Sequence, residues 1–137
     1  YCDSLLGLVE PGCILLYFGE NDIANDGLDA RTAFEALERL IDRLRDRFGP
    51  VPIHRLSIKH SPARWIYAGE FDAFNAMLRQ SCAKDGPGGY VDVGSCLIGR
   101  NGRPMGRYYE ADGVHLNASG YALWASVIAG ILKNAGA

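Results

Sequence analysis

Two short polar clusters contain the residues best suited to chemistry in this chain. The first, Gly19-Glu20-Asn21-Asp22, directly follows an apolar run. Gly19 allows a sharp turn, and the side-chain amide of Asn21 can then donate to negative charge that develops on an oxygen atom. Glycine and asparagine are equally common in ordinary turns, so this cluster taken alone favours a turn.

The second cluster is Asp112-Gly113-Val114-His115, ahead of the last helical pattern. Residues three apart at a helix entry lie on the same side, so the Asp112 carboxylate can accept a hydrogen bond from one ring nitrogen of His115. The other nitrogen is then free to act as a base, and the carboxylate favours the imidazolium that forms. The structural alternative is that Asp112 caps a turn and His115 is a half-buried histidine whose hydrogen bonds are satisfied.

Three strand patterns surround these clusters. Residues 13–18 form a continuous apolar run between two glycine turns, which predicts a strand buried on both faces. Residues 53–58 and 90–93 predict two further strands. Each of the three is followed by polar or glycine-rich residues, where a parallel sheet places its ligands, beyond the carboxyl ends of the strands.

Helical patterns alternate with the strands. The first predicted helix begins at Asp29 as N-cap and ends at Gly49-Pro50, and the last begins near Asn117. The residues that we expect to face a core are Phe34, Leu37, Leu40, Ile41, Leu44 and Phe48 in the first helix, Phe71, Phe74, Met77, Leu78 and Cys82 in the second, and Tyr121, Trp124, Ile128 and Ile131 in the last. This alternation predicts an α/β fold with a parallel sheet covered on both faces.

Composition narrows the function classes. The 137 residues predict one domain, 1–137, and the net charge of -2 without a basic stripe argues against nucleic acid as a partner. The longest uncharged stretch, 116–132, is interrupted by polar and glycine residues, so no membrane span is expected. The four cysteines form no CxxC pair, and Asp112 and His115 lack a third ligand at a recognisable spacing, so no metal site is expected.

Together the two clusters resemble a known family. The string from Leu15 to Asp22, and Asp112-Gly113-Val114-His115-Leu116-Asn117 followed by Gly120-Tyr121, resemble the third and fifth conserved blocks of the SGNH, or GDSL-like, hydrolases. The resemblance covers nearly the whole chain. It implies a flavodoxin-like three-layer α/β/α fold and a serine esterase or acylhydrolase in which Asn21 is an oxyanion donor, His115 the general base and Asp112 its orienting acid.

The chain departs from the family pattern at the nucleophile. The family's serine belongs to a Gly-Asp-Ser block after the first strand of the domain, and Cys2-Asp3-Ser4-Leu5 imitates that block. No apolar strand precedes Ser4, and the lead-in before Cys13 has no room for the intervening helix and strand. We therefore interpret Ser4 as a helix-start residue. Three strands are also few for a covered parallel sheet, so we expect N-terminal strands, with the serine and the oxyanion glycine, to lie upstream of Tyr1.

Two further residues are candidates for substrate binding. His60 follows the second strand and is expected to face the same crevice as Asn21, but a histidine before Ser61-Pro62 is more often a loop residue that does not touch substrate. Arg64, next to Trp65, can frame a substrate pocket, but such a pair at a helix start is as often surface packing.

The sequence thus predicts a serine esterase of the SGNH type whose nucleophile lies outside this chain. The expected partners are the missing N-terminal segment of the same domain and a small ester, which is a lipid, a sugar ester or a short acyl ester. No cofactor is required. The alternative is a non-catalytic binding or structural module on the same fold. A nucleotide or receiver domain is disfavoured because no Gly-rich phosphate loop follows any strand.

Overall fold

The computed structural model describes residues 12–84 and 86–134. In chain order the elements are β1 (Ile14–Tyr17), α1 (Glu20–Ala24), α2 (Ala30–Phe48), β2 (Ile53–Leu56), a 3-10 helix (Pro62–Tyr67), α3 (Ala68–Cys82), β3 (Tyr90–Val91), two short 3-10 helices (Ser95–Leu97 and Gly106–Tyr108) and α4 (Ala118–Asn134). The predicted alternation of strands and helices is confirmed.

The three strands form one parallel sheet in the order β1-β2-β3. Ile14 lies opposite Ile53, and Leu56 lies opposite Val91. Helices α2 and α3 cover one face of the sheet, and α4 covers the other, which gives the three layers expected for an α/β/α fold. The order of these strands in the sheet is the same as their order in the chain, which matches the last three strands of a flavodoxin-like sheet.

Helix α2 forms as its apolar spacing predicts. The carboxylate of its N-cap, Asp29, accepts a hydrogen bond from the Thr32 backbone N–H at 2.8 Å, and this bond lowers the pKa of Asp29. The predicted stripe faces the sheet, and its buried members are Phe34, Leu37, Ile41 and Leu44. Phe34 meets Phe74 of α3 edge to face, with 5.9 Å between ring centroids, and this pair joins the two helices over the sheet.

The second and third strands are shorter than predicted, because the last residues of the predicted segments bond to side chains. The Ile58 N–H donates to the Asn75 side-chain oxygen at 2.8 Å, so β2 ends at Leu56. The Val93 N–H donates to the Ser57 hydroxyl at 3.0 Å, so β3 ends at Val91. These bonds carry the chain away from the sheet edge toward the loops that follow.

The prediction that residues 13–18 are buried on both faces is wrong, since Cys13 and Leu15 are exposed, and so is the prediction that Tyr121 faces a core. Leu15 is 43% exposed, because β1 is an edge strand of the described sheet. Tyr121 is 54% exposed, because it stands one turn before Trp124, beyond the ends of the strands. Trp124 does reach the core, and its indole N–H donates to the Val93 carbonyl at 2.7 Å.

Candidate active site

The first polar cluster begins α1, directly beyond β1. Gly19 has φ of +108°, and a Cβ there would lie 2.9 Å from the Phe74 ring, so only glycine makes this turn without strain. The turn places Glu20 inward and Asn21 outward. The Asn21 oxygen accepts hydrogen bonds from the Arg64 guanidinium at 3.1 Å and from the Asn25 amide at 3.3 Å.

The second cluster forms the hydrogen-bonded pair that the spacing predicts. His115 Nδ1 lies 2.6 Å from Asp112 Oδ2, and the other carboxylate oxygen accepts the backbone N–H groups of Val114 and His115. Gly113 has φ of +69°, and its carbonyl accepts the Ala63 N–H at 3.0 Å. The turn that holds the pair is therefore tied to the segment that follows β2.

The hydrogen bonds that Asp112 accepts determine the charge of its carboxyl group. The hydrogen bond from His115, with those from the Val114 and His115 backbone, lowers the pKa of Asp112 to about 2. Asp112 is therefore ionised at neutral pH and accepts the proton on Nδ1. This tautomer leaves Nε2 with a lone pair, and the ring is 71% exposed, so Nε2 is open to a reacting group.

The two clusters meet at one cavity of about 160 Å³. Its described lining residues are Tyr17, Glu20, Asn21, Lys59, Arg64, Val114, His115, Leu116, Tyr121 and Trp124. Asn21 and His115 are far apart in sequence, and the parallel sheet brings them together at its carboxyl edge as predicted. Arg64 lies at the same cavity. None of these described lining residues is a serine or a cysteine.

A buried charge network lies beneath Asn21. One oxygen of the Glu20 carboxylate accepts from Lys59 Nζ at 2.6 Å and from the Tyr17 hydroxyl at 2.5 Å, and the other accepts from Arg64 at 2.6 Å. Burial, followed by the nearby Glu20 carboxylate, raises the pKa of Tyr17 well above its ordinary value. Two basic side chains thus share one buried carboxylate beneath the cavity.

His60 does not share the cavity of Asn21, contrary to our expectation. Its Nε2 lies 2.7 Å from the Asp72 carboxylate on α3, and its ring meets Trp65 edge to face. It lines a separate cavity of about 530 Å³. The reason is that Lys59 already points to Glu20, and consecutive side chains of an extended segment point to opposite sides. Substrate contact by His60 stays a prediction.

Sequence reasoning missed the network around Glu20. The available signal was an acidic residue, Glu20, after the first strand and two basic residues, Lys59 and Arg64, after the second strand.

Ser4, interpreted as a helix-start residue, lies outside the described residues. Within the residues described, no three His, Cys, Asp or Glu side chains come close enough to hold one metal ion. In the same residues no helix is long and apolar enough to cross a membrane.

Solved structures share this fold. A family 3 carbohydrate esterase from Talaromyces cellulolyticus superposes with a TM-score of 0.77 at 16% identity, covering 94% of this chain and 60% of that protein. A protein described as a platelet activating factor from Streptococcus pneumonia gives 0.76 at 24% identity, covering 87% and 58%. A GDSL-like lipase from Bacteroides thetaiotaomicron VPI-5482 gives 0.71 at 20% identity, covering 91% and 63%.

This chain therefore spans about 60% of the length of these three proteins. At such identities the likeness establishes the fold. Comparison with curated protein sequences gave no match. The sequence model of the GDSL-like Lipase/Acylhydrolase family matches residues 4–123, which is most of the chain and includes both polar clusters. This chain belongs to the GDSL-like lipase/acylhydrolase family.

Proposed function

We propose that this chain carries the base, the orienting acid and one oxyanion donor of a serine esterase. One observation carries the proposal: His115 is bonded through Nδ1 to Asp112, and its exposed ring lines the same cavity as Asn21. Acyl transfer from an ester requires a histidine whose one nitrogen is bonded to an acid and whose other nitrogen is accessible to the nucleophile, with an amide donor nearby for the oxyanion.

In the proposed mechanism, His115 Nε2 removes the proton from a serine hydroxyl as the oxygen attacks the ester carbonyl. Asp112 holds the ring and stabilises the imidazolium that forms. The side-chain amide of Asn21 donates to the tetrahedral oxyanion, together with backbone N–H groups. The imidazolium then gives its proton to the leaving alcohol, and water activated by the same base releases the acid.

The nucleophile is the part of the proposal that the described cavity does not contain. We place it in a segment upstream of Tyr1, after a further parallel strand beside β1, because β1 has a free edge in the described sheet and its neighbour there would end at the same cavity. The substrate class is a small ester of a lipid, a sugar or a short acyl group. The mechanism uses no metal or organic cofactor.

A second candidate is a binding or structural module without turnover. The observation that favours it is the absence of serine and cysteine from the described lining of the cavity. In that case Asn21 and the Asp112–His115 pair hold a ligand or one another.

The test uses the protein that contains this chain with its upstream segment. We expect hydrolysis of p-nitrophenyl acetate and labelling by a fluorophosphonate on a serine upstream of Tyr1. His115→Ala should abolish turnover more completely than Asp112→Asn, because the first deletes the base and the second only disorders it. Glu110→Ala, an exposed change in the same loop, serves as the control and should leave the rate unchanged.

Three results separate the alternatives. Absence of both hydrolysis and labelling supports the module. Full activity of His115→Ala refutes its role as base. An adduct mapped to the peptide that contains Ser4 places the nucleophile there and refutes both the upstream serine and our interpretation of Ser4.

A further inference from the structure

We propose that Arg64 is a positioning residue that fixes the direction of the Asn21 side-chain amide, so that its NH₂ group faces the cavity. This inference rests on the proposed function, because it concerns the oxyanion donor of that reaction. It replaces our expectation that Arg64 frames the pocket by touching substrate.

The Arg64 guanidinium makes three hydrogen bonds to side chains of α1 and of the residue that follows it. Its Nη1 donates to the Glu20 carboxylate at 2.6 Å and to the Asn21 oxygen at 3.1 Å. Its Nη2 donates to the Asn25 oxygen at 3.0 Å. A planar fork of this kind can hold three acceptors at fixed angles, which a lysine ammonium cannot.

The hydrogen bonds determine which end of the Asn21 amide faces outward. Both partners of its inner atom, the Arg64 guanidinium and the Asn25 NH₂ group, are donors, so that atom is the oxygen. A flipped amide would set its NH₂ group against the guanidinium, and two donors would face each other. Arginine has no acceptor to offer, so the flip is strongly disfavoured.

The position of Arg64 is itself fixed by its ion pair with the buried Glu20 carboxylate. The Glu20 carboxylate that it contacts is buried, and it is also bonded to Lys59 and Tyr17. Glu20 directly precedes Asn21 in α1, so the anchor and the oriented amide belong to the same helical turn. The neighbour of Arg64, Ala63, donates its N–H to the Gly113 carbonyl at 3.0 Å. The segment after β2 therefore contacts both halves of the candidate site.

The test compares Arg64→Lys with Asn21→Ala and with the double variant in the complete protein, using p-nitrophenyl acetate. Lysine keeps a positive charge near Glu20 but cannot form the fork to Asn21 and Asn25. We expect Arg64→Lys to lower kcat by roughly 10- to 100-fold with KM nearly unchanged, less than the ~10²–10³-fold effect of losing the donor itself. Arg103→Lys is the matched control, because Arg103 stacks on Trp65 and is exposed, and it should keep the wild-type kcat.

The double variant distinguishes positioning from direct action. If Arg64 acts through Asn21, adding Arg64→Lys to Asn21→Ala should change kcat by less than about twofold. A further drop of about tenfold or more in that background would mean that Arg64 acts on the substrate or the fold, and would overturn the proposal. Wild-type kcat in Arg64→Lys would overturn it as well.

A spectroscopic readout keeps the inference separate from the proposed function. The side-chain ¹⁵NH₂ group of Asn21, assigned by its loss in Asn21→Ala, should give the heteronuclear NOE of a rigid group in the wild type and a lower NOE in Arg64→Lys, because the contacts to its oxygen hold the side chain in one direction. If Asn21→Ala leaves kcat unchanged, Asn21 is not the oxyanion donor of the proposed function, while this signal still reports the orientation of its amide. An identical Asn21 NOE in the wild type and in Arg64→Lys refutes the positioning role whatever the activity.

Discussion

Replacement of Glu20 by glutamine tests the buried charge network most directly. The two side chains have the same shape, but glutamine carries no charge and turns one carboxylate oxygen into an NH₂ donor. That donor must face Arg64, or else Lys59 and Tyr17, each of which donates to Glu20 at 2.5 to 2.6 Å. The variant therefore leaves two cations without their anion and sets two donors against each other.

The size of the effect follows from burial. The side chains of Lys59 and Arg64 are only 8% and 14% exposed, so water compensates little for the lost partner. Removing one partner of a buried ion pair costs about 3–5 kcal/mol. For a chain of 137 residues, such a loss lowers Tm by roughly 10–20 °C.

Urea and thermal unfolding of the complete protein, followed by circular dichroism, measure this change. Glu35→Gln, an exposed position on α2, is the matched control and should change the free energy of unfolding by less than about 0.5 kcal/mol. The effect of Glu20→Gln should persist at about 1 M salt, where the Debye length is only ~3 Å and exposed pairs are screened. A loss below about 1 kcal/mol, or one that salt removes, would refute the argument that the network is buried and tightly coupled.

Three further outcomes are expected. Asn21→Ala should lower kcat by roughly 10²–10³-fold with little change in KM, and an unchanged kcat would remove Asn21 from the mechanism. The pKa of Asp112 is about 2, so the stability from its bond with His115 is present above the unfolded pKa of ~3.9 and lost as pH falls through about 2. An NMR titration that places the Asp112 carboxyl midpoint near its ordinary value contradicts this. Phe74→Ala should cost about 3–5 kcal/mol in urea unfolding, because the ring is fully buried, whereas Ile66→Ala at an exposed position should cost less than about 0.5 kcal/mol.

Periodicity explains why much of the fold was predictable. The buried face of α2 was predicted correctly because that face packs against the sheet along its length, so that burial follows the 3.6-residue helical repeat. Tyr121 breaks the rule because α4 begins beyond the strand ends, and no sequence pattern tells where the sheet beneath a helix stops. Leu15 is exposed although the apolar run 13–18 predicts burial on both faces, because β1 is an edge strand of the described sheet.

The site was predictable where its chemistry is local. Asp112 and His115 are three residues apart, and their bond depends on one turn alone. The partners of Glu20 lie about forty residues away and reach it only because β1 and β2 are neighbours. The direction of the His60 side chain depends on the backbone conformation of the segment after β2, which places Lys59 toward Glu20 and His60 toward Asp72. Such non-local contacts follow from strand pairing, which spacing within one segment does not encode.

The exposure of His115 bears on whether its pair with Asp112 serves structure or chemistry. An exposed ion pair adds little stability, because water solvates both groups nearly as well when they are apart. A histidine that serves packing is buried with both nitrogens bonded, whereas His115 is 71% exposed and bonded through Nδ1, with no described partner on Nε2. Stability therefore gives little reason to order this ring. The proton transfer at Nε2 that we propose gives a reason, because the Nδ1 bond would select the tautomer and the ring direction that a base at this cavity needs.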